Sequence, residues 1–134
     1  MKTQNTLQVI LTRNQNNKKE FLMLKRTESR GGFWQPITGR LEDEKPEEGA
    51  MRELKEETGI EEIIKISKIS EFPNGQADGM EFVFLIEVDS SMKINLDCNV
   101  DIEKEHDEFK WCDIDEATKL AKWPQYKEAL EKLK

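Results

Sequence analysis

The sequence predicts a mixed α/β fold in a single domain that spans residues 1–134. Alternating apolar and polar residues, which are typical of half-buried strands, occur at 7–12, and residues 80–88 carry a longer apolar strand pattern. Between these strand regions, residues 46–58 carry the start and stop signals of a helix. A chain of 134 residues can bury one hydrophobic core but has little room for a second domain.

The beginning of the chain predicts a β-hairpin followed by a loop. Residues 7–12 form the first strand, and residues 13–19, rich in Asn and Lys, form the turn. A second apolar run at 21–24 can pair with the first strand. A polar loop at 27–32 contains two adjacent glycines, and residues 33–38 lead from it to an acidic stretch.

One helix is predicted between Pro46 and Gly59, and one of its faces is acidic. Pro46 suits the first turn because its missing N–H would have no partner there, and Gly59 can adopt the left-handed conformation that ends a helix. At about 100° per residue, Glu53, Glu56 and Glu57 share one side. Clustered like charges destabilise a helix, so a divalent cation is one explanation for them. A solvated charged face is the other, and the spacing alone favours neither.

The chain after this helix predicts two more strands. A β-rich segment at 63–73 is followed by a turn at 74–79. Residues 80–88 are apolar on both faces, which is expected for a central strand covered on both sides. Residues 89–101 read as a loop that could contain a short strand at 93–96.

The C-terminal region predicts a last strand and two helices. Residues 109–112 alternate as a strand, so the acidic cluster at 103–108 is expected on the loop that leads into it. An aspartate and a glutamate three residues apart resemble a capping box that opens a helix at 113–121. The pattern at 126–133 predicts a final amphipathic helix, and Trp123-Pro124 separates the two helices.

The composition excludes several classes of protein. A net charge of −7, from 21 basic and 28 acidic residues, opposes sequence-independent binding to a nucleic-acid polymer. No apolar run approaches the roughly 20 residues of a membrane span, and residues 1–4 are not followed by a signal-peptide core, so a cytoplasmic location is expected. Cys98 and Cys112 lack metal-site spacing and are expected to be reduced thiols.

The acidic helix and the segment before it resemble the Nudix box, G-x5-E-x7-R-E-U-x-E-E-x-G-U, in which U is aliphatic. The matching residues are, in order, Glu44, Arg52, Glu53, Leu54, Glu56, Glu57, Gly59 and Ile60. One departure lies in the loop, because Gly39 is followed by four residues before Glu44 where the pattern has five. Asp43 also stands where the usual loop has a second glycine. The chain thus resembles the Nudix (MutT-type) hydrolase family, with the helix intact and the loop trimmed.

This resemblance implies a fold, a cofactor and a set of roles. The family fold is an α/β/α sandwich in which a mixed β-sheet lies between helices, and the cofactor is Mg²⁺, with Mn²⁺ as a substitute. By the match, Glu53, Glu56 and Glu57 would hold the metal. Arg52 would fix one of these glutamates with a charge-assisted hydrogen bond. Glu57 or Glu105 would help to deprotonate the attacking water.

The segment FWQPITG ahead of the box is similar to the FWQ-(x)-(x)-TG of the branch that includes dihydroneopterin triphosphate and dATP pyrophosphohydrolases. Arg26, at the end of the preceding strand, either contacts a phosphate or is an ordinary surface arginine. Trp34 either stacks on a base or pterin or fills the core beneath the loop. With Gln35, Gly39 and Glu44, these two residues form the predicted substrate-binding set.

A second similarity lies ahead of the last strand. The segment Glu105-His106-x-x-Phe109-x-Trp111 is similar to the E-H-x-x-(aromatic)-x-W of several Nudix branches, including the pterin/dATP enzymes and the asymmetric dinucleoside tetraphosphatases. The resemblance implies that Glu105 is a metal ligand or general base, with Glu103 as the alternative. His106, the only histidine of the chain, is expected to have a structural or supporting role.

Together the similarities imply a Mg²⁺-dependent pyrophosphohydrolase that cleaves a nucleoside triphosphate-like compound, dihydroneopterin triphosphate or a (d)NTP, to a monophosphate and pyrophosphate. A dinucleoside polyphosphate hydrolase is the alternative enzyme. A Nudix-fold binding module without turnover is a further alternative, which the trimmed loop favours. The expected partner is a small-molecule polyphosphate, and the protein is expected to be a monomer or homodimer.

Overall fold

The computed structural model describes residues 4–99 and 104–134 and contains a mixed sheet with helices on both faces. In chain order the elements are β1 (Thr6–Gln15), β2 (Lys18–Arg26), a 3-10 turn (Glu28–Arg30), β3 (Trp34–Gln35), β4 (Ile37–Arg40), α1 (Pro46–Thr58), β5 (Lys65–Pro73), β6 (Met80–Glu87), β7 (His106–Cys112), α2 (Ile114–Leu120) and α3 (Pro124–Glu131). Within the described ranges, no helix is long and apolar enough to cross a bilayer.

Strand β1 organises the sheet. It pairs in parallel with β6 along one edge, and its other edge is shared by β4, which pairs with residues 6–9, and β2, which pairs with residues 12–15. The other pairs among the described strands are antiparallel, so the sheet is mixed. Strands β2 and β4 therefore both end near the same edge of β1, and the candidate site is built there.

Two apolar clusters, one on each face of the sheet, hold the layers together. Leu54 and Ala50 of α1 are buried in the cluster that contains Leu7 of β1 and Ile86 of β6. On the other face, α2 and α3 pack on a cluster that includes Ile10, Phe21, Met23, Val83, Ala117, Tyr126 and Leu130. This arrangement confirms the expected α/β/α sandwich.

Most predicted elements are confirmed, with sharper boundaries. Helix α1 begins at Pro46 and ends before Gly59, whose φ of 80° is left-handed as expected. The hairpin is also present, but the turn is shorter than predicted, because Asn16 and Asn17 both adopt positive φ and allow the strands to continue almost to the tip. Strand β6 lies between β1 and β5 and contributes side chains to both clusters, which confirms its interior position.

Two predictions were wrong. Residues 93–96 form no strand, because this segment is tied to the end of α1, where the Asn95 N–H donates to the Thr58 carbonyl at 3.0 Å. The last strand begins at His106 and not at Phe109, since β2 extends to Arg26 and pairs there with His106. Residues 106–108 therefore lie on a strand, and only Glu105 and the residue before it are described in the preceding loop.

Leu54 connects the acidic helix to the sheet and offers a test of the packing. Its side chain is fully buried, so we expect Leu54→Ala to lower the free energy of unfolding by about 3 kcal/mol through lost burial and a cavity. Ile64→Ala, at a site 61% exposed, is the control and should cost less than about 0.5 kcal/mol. Chemical denaturation measures both, and equal effects would mean that α1 is not anchored through Leu54.

Candidate active site

A cleft of about 460 Å³ opens beside α1. It is lined by Thr6, Leu7, Arg26, Thr38, Gly39, Arg40, Glu53, Glu56, Glu57, Glu81, Glu105 and Tyr126. Six of these residues were singled out from the sequence as site residues, namely Arg26, Gly39, Glu53, Glu56, Glu57 and Glu105. Three other predicted site residues, Trp34, Gln35 and Glu44, do not line the cleft, and neither does Arg52, which was predicted to fix one of the glutamates.

The three glutamates of α1 face this cleft because the opposite side of the helix is fixed in the core. Glu53 and Glu57 are only 7% and 8% exposed, while Glu56 is more open to solvent. Gly39 of β4 lies directly against Glu53, since a Cβ at this glycine would be 2.2 Å from the Glu53 Cδ atom. The absence of a side chain at Gly39 therefore makes room for the Glu53 carboxylate.

Arg52 ties the acidic groups together from outside the cleft. Its Nη1 donates to Glu53 Oε1 at 2.9 Å and to Glu56 Oε2 at 3.2 Å. Its Nη2 donates to Glu44 Oε1 at 2.7 Å and to the Arg40 carbonyl at 2.9 Å. These hydrogen bonds hold the pKa of Glu44 below its usual value, so Glu44 remains an anion that anchors the guanidinium.

Glu53 is held in an environment that disfavours its charge. Burial is the largest influence and raises the pKa of Glu53 to about 7, although the neighbouring Arg52 guanidinium acts in the opposite direction. The negative charges of Glu56 and Glu57 add to the increase. A cation bound in the cleft would relieve this unfavourable concentration of carboxylates.

Glu57, Glu105 and His106 form a compact group at one end of the cleft. Each offers one ligand atom, and these atoms lie within 4.8 Å of one another. Burial alone would raise the pKa of Glu57, but hydrogen bonds from His106 and Glu105 bring it below its usual value. Burial and the nearby Glu57 carboxylate raise the pKa of Glu105. Glu57 is therefore the more readily ionised member of the pair.

The donor set fits a hard divalent cation held by oxygen. Both ring nitrogens of His106 are already engaged, because Nδ1 lies 3.0 Å from Glu57 Oε2 and Nε2 lies 3.0 Å from Gln35 Nε2. The carboxylates of Glu53, Glu56, Glu57 and Glu105 are thus the available ligands, and Mg²⁺ and Mn²⁺ prefer such oxygen donors. Glu103, the alternative to Glu105, lies outside the described residues.

Gln35 and Trp34 do not lie on the cleft wall. Gln35 is only 1% exposed and bonds to Thr38, His106 and Tyr126. Trp34 is half-buried against the cluster beneath α2 and α3. Neither side chain lines the cleft with the glutamates, and their substrate-binding roles stay predictions.

The cleft also has cationic and polar walls, part of which the sequence reasoning missed. Arg26 lies on the wall with its Nε donating to the Arg30 carbonyl at 3.1 Å, and Arg40 lies next to Gly39. Glu81 and Tyr126 were not identified as site residues. Glu81 is an acidic residue within the most apolar strand pattern, which is a signal that could have been used. Tyr126 matched the apolar face of the last helix and carried no separate signal.

The burial of Glu53 leads to a pH dependence that can be measured without metal. Between pH 4.5 and about 7, the unfolded chain releases the Glu53 proton while the folded chain retains it, so this group lowers stability as the pH rises through that window. Glu53→Gln cannot ionise. We therefore expect the variant to match the wild type near pH 4, below the window, and to exceed its unfolding free energy by about 3 kcal/mol near pH 8.

Denaturation in the presence of a chelator measures this difference. Glu61→Gln removes an exposed carboxylate that pairs with Lys55 and reports the cost of losing a surface charge at each pH. A Glu53→Gln advantage that does not grow with pH would show that burial of this carboxylate is not costly.

Comparison with known proteins gives a consistent result. The family model described as the NUDIX domain matches residues 3–133. An RNA pyrophosphohydrolase from Nitratiruptor is 30% identical over 97% of this chain and 92% of its own length. The solved structure of the E. coli dihydroneopterin triphosphate pyrophosphohydrolase aligns with a TM-score of 0.71 and 25% identity, covering 98% of this chain and 94% of that one.

A third relative is much longer than this chain. The octanoyltransferase of Myxococcus xanthus is 33% identical over 81% of this chain, but the match spans only 30% of that protein. The family model covers residues 3–133, and the fold is the α/β/α sandwich expected of that family. The glutamates of α1 line the cleft, which agrees with the same assignment. This chain belongs to the Nudix hydrolase family.

Proposed function

We propose that the protein is a Mg²⁺-dependent hydrolase that cleaves a phosphoric anhydride bond in a nucleoside triphosphate-like substrate. The observation that carries this proposal is the cleft itself. Five glutamates line it, namely Glu53, Glu56, Glu57, Glu81 and Glu105, together with the arginines Arg26 and Arg40. A polyphosphate needs both kinds of group, because a metal ion held by carboxylates and nearby arginines can neutralise its oxygens.

Glu53, Glu56 and Glu57 hold the Mg²⁺, and Mn²⁺ can take its place. When bound, the metal neutralises non-bridging phosphate oxygens and stabilises the leaving phosphate. Arg52 acts through Glu53 and Glu56, whose carboxylates it orients by hydrogen bonds. Arg26 binds the phosphate chain, and Arg40, which follows Gly39 in the same cleft lining, offers a second cation.

Glu105 accepts the proton of the attacking water, and Glu57 is the alternative base. The Glu57 carboxylate is already committed to His106 at 3.0 Å. Burial and the Glu57 charge raise the pKa of Glu105, so in its ionised form Glu105 has the greater affinity for a proton, which suits a general base. Arg30 Nη1, 3.9 Å from Glu105 Oε1, keeps this carboxylate near the cleft.

The substrate class is proposed from two similarities. The FWQPITG segment and the alignment with the dihydroneopterin triphosphate enzyme of E. coli, at 25% identity, support a pterin or (d)NTP substrate. The segment from Glu105 to Trp111 supports a dinucleoside polyphosphate as the second candidate. We also propose a single domain, a cytoplasmic location and a monomer or homodimer.

A substrate panel tests the class of compound. Dihydroneopterin triphosphate, dATP, GTP, diadenosine tetraphosphate and a 5′-triphosphorylated RNA oligonucleotide would each be incubated with Mg²⁺, and pyrophosphate and orthophosphate would be measured. Release of pyrophosphate from the pterin or (d)NTP compounds is expected. If only the tetraphosphate or only the RNA were hydrolysed, that compound would define the substrate class instead. If no compound were hydrolysed, the binding module without turnover would be favoured.

The roles of the glutamates are tested by separating metal binding from turnover. We expect Glu57→Gln to weaken Mg²⁺ binding and to lower kcat at least ~100-fold, or about 2.7 kcal/mol of transition-state stabilisation. Glu105→Gln should lower kcat while Mg²⁺ affinity, measured by calorimetry, is largely retained. Glu61→Gln, an exposed glutamate outside the cleft lining, is the control. Near-normal turnover in Glu57→Gln would remove the metal-site proposal.

A further inference from the structure

Four buried side chains form a chain of hydrogen bonds that ends at Glu57. The Tyr126 hydroxyl of α3 donates to Gln35 Oε1 at 3.3 Å. Gln35 Nε2 lies 3.0 Å from His106 Nε2, and His106 Nδ1 lies 3.0 Å from Glu57 Oε2. The four residues come from α3, β3, β7 and α1, so the chain connects all layers of the fold.

We propose that Gln35 is a positioning residue whose amide fixes the His106 proton on Nδ1, from which it is donated to the Glu57 carboxylate. The role assigned to Gln35 is thus a supporting one behind the cleft wall, in contrast to the substrate contact that the sequence predicted. His106 transmits the effect. The catalytic part of this inference rests on the proposed hydrolase function, whereas the proton position does not.

The direction of each hydrogen bond follows from the donors and acceptors available. A glutamine amide has one acceptor oxygen and one donor NH₂ group. The Tyr126 hydroxyl occupies the oxygen, which leaves the NH₂ group facing both His106 Nε2 and, at 3.3 Å, Thr38 Oγ1. In this orientation of the amide the NH₂ group can only donate, so His106 Nε2 accepts and the ring proton lies on Nδ1.

Burial favours this one arrangement of hydrogen bonds over others. Gln35 is 1% exposed, His106 2% and Tyr126 8%, so solvent water cannot readily replace a lost partner. Burial also raises the pKa of Tyr126 to about 12, which keeps its hydroxyl protonated as a donor. Turning the amide around would aim its oxygen at His106 Nε2, which would then have to carry a proton. The buried ring would need a second proton in order to keep donating from Nδ1 to the Glu57 carboxylate.

Nuclear magnetic resonance can read the proton position directly, because His106 is the only histidine of the chain. Long-range ¹H–¹⁵N spectra of the uniformly labelled, metal-free protein at fixed neutral pH distinguish the two neutral tautomers from the doubly protonated ring. The proposal expects a protonated Nδ1 and an unprotonated Nε2. A proton on Nε2, alone or together with one on Nδ1, would overturn it.

Variants of Gln35 test the cause. In Gln35→Glu, a carboxylate of the same shape can only accept, so the proposal expects a proton to appear on His106 Nε2. Gln35→Met has a side chain of similar length without an N–H donor, and it should abolish the preference for a single tautomer. This second variant decides the question if the glutamate variant does not fold. Ile10→Val, a conservative change in the same apolar cluster as Tyr126, is the control and should retain the wild-type spectrum. Persistence of the Nδ1-only tautomer in both Gln35 variants would refute the role.

Kinetics provide the second measurement, on any substrate that the wild type hydrolyses. Since Gln35 does not reach the cleft, Gln35→Glu is expected to lower kcat at least ~10-fold while KM changes by less than about 2-fold. A raised KM with unchanged kcat would instead indicate substrate contact and overturn the proposal. If the wild type hydrolyses none of the panel, the proposed function fails, while the spectra still decide where the His106 proton lies.

Discussion

The arrangement of the cleft depends on the guanidinium of Arg52. This group bonds the carboxylates of Glu44, Glu53 and Glu56 and the backbone carbonyl of Arg40. It therefore connects the loop before α1, the helix itself and the end of β4. A planar group with several fixed donors suits this task, whereas an ammonium group would lack the matching fork of N–H donors.

The hydrogen bonds of Arg52 offset only part of the free-energy cost of clustering these carboxylates. Glu53 remains so poorly solvated that its pKa rises to about 7 even with Arg52 beside it. At one end of the cleft, Glu57 and Glu105 lie close together, and His106 stabilises the charge of Glu57. The rest of the fold holds these groups in place, because Leu54 and Ala50 fix the back of α1 in the core. A bound cation would therefore find its ligands largely oriented before it arrives.

The sequence was informative where a local pattern determines local structure. Helix α1 was predicted from Pro46 and Gly59, and the common direction of its glutamates followed from the helical repeat. The sequence was less informative where distant segments meet. Gln35 reaches Tyr126 across 91 positions of the chain, and no spacing rule relates a residue of β3 to one of α3.

The same distinction explains the residues that were missed. Tyr126 serves both the apolar cluster and the cleft, and a hydrophobic pattern reveals only the first of these roles. Glu81 enters the cleft wall because β6 pairs with β1, where its carboxylate accepts hydrogen bonds from Thr6 and Gln8. That pairing is parallel and long-range, so it depends on the topology of the whole sheet.

The trimmed loop between Gly39 and Glu44 raised the alternative of a module without turnover, yet Arg52 still bonds both Glu44 and the Arg40 carbonyl. Since the shorter loop leaves this network closed and Gly39 still makes room for Glu53, loop length by itself is a weak reason to expect loss of turnover.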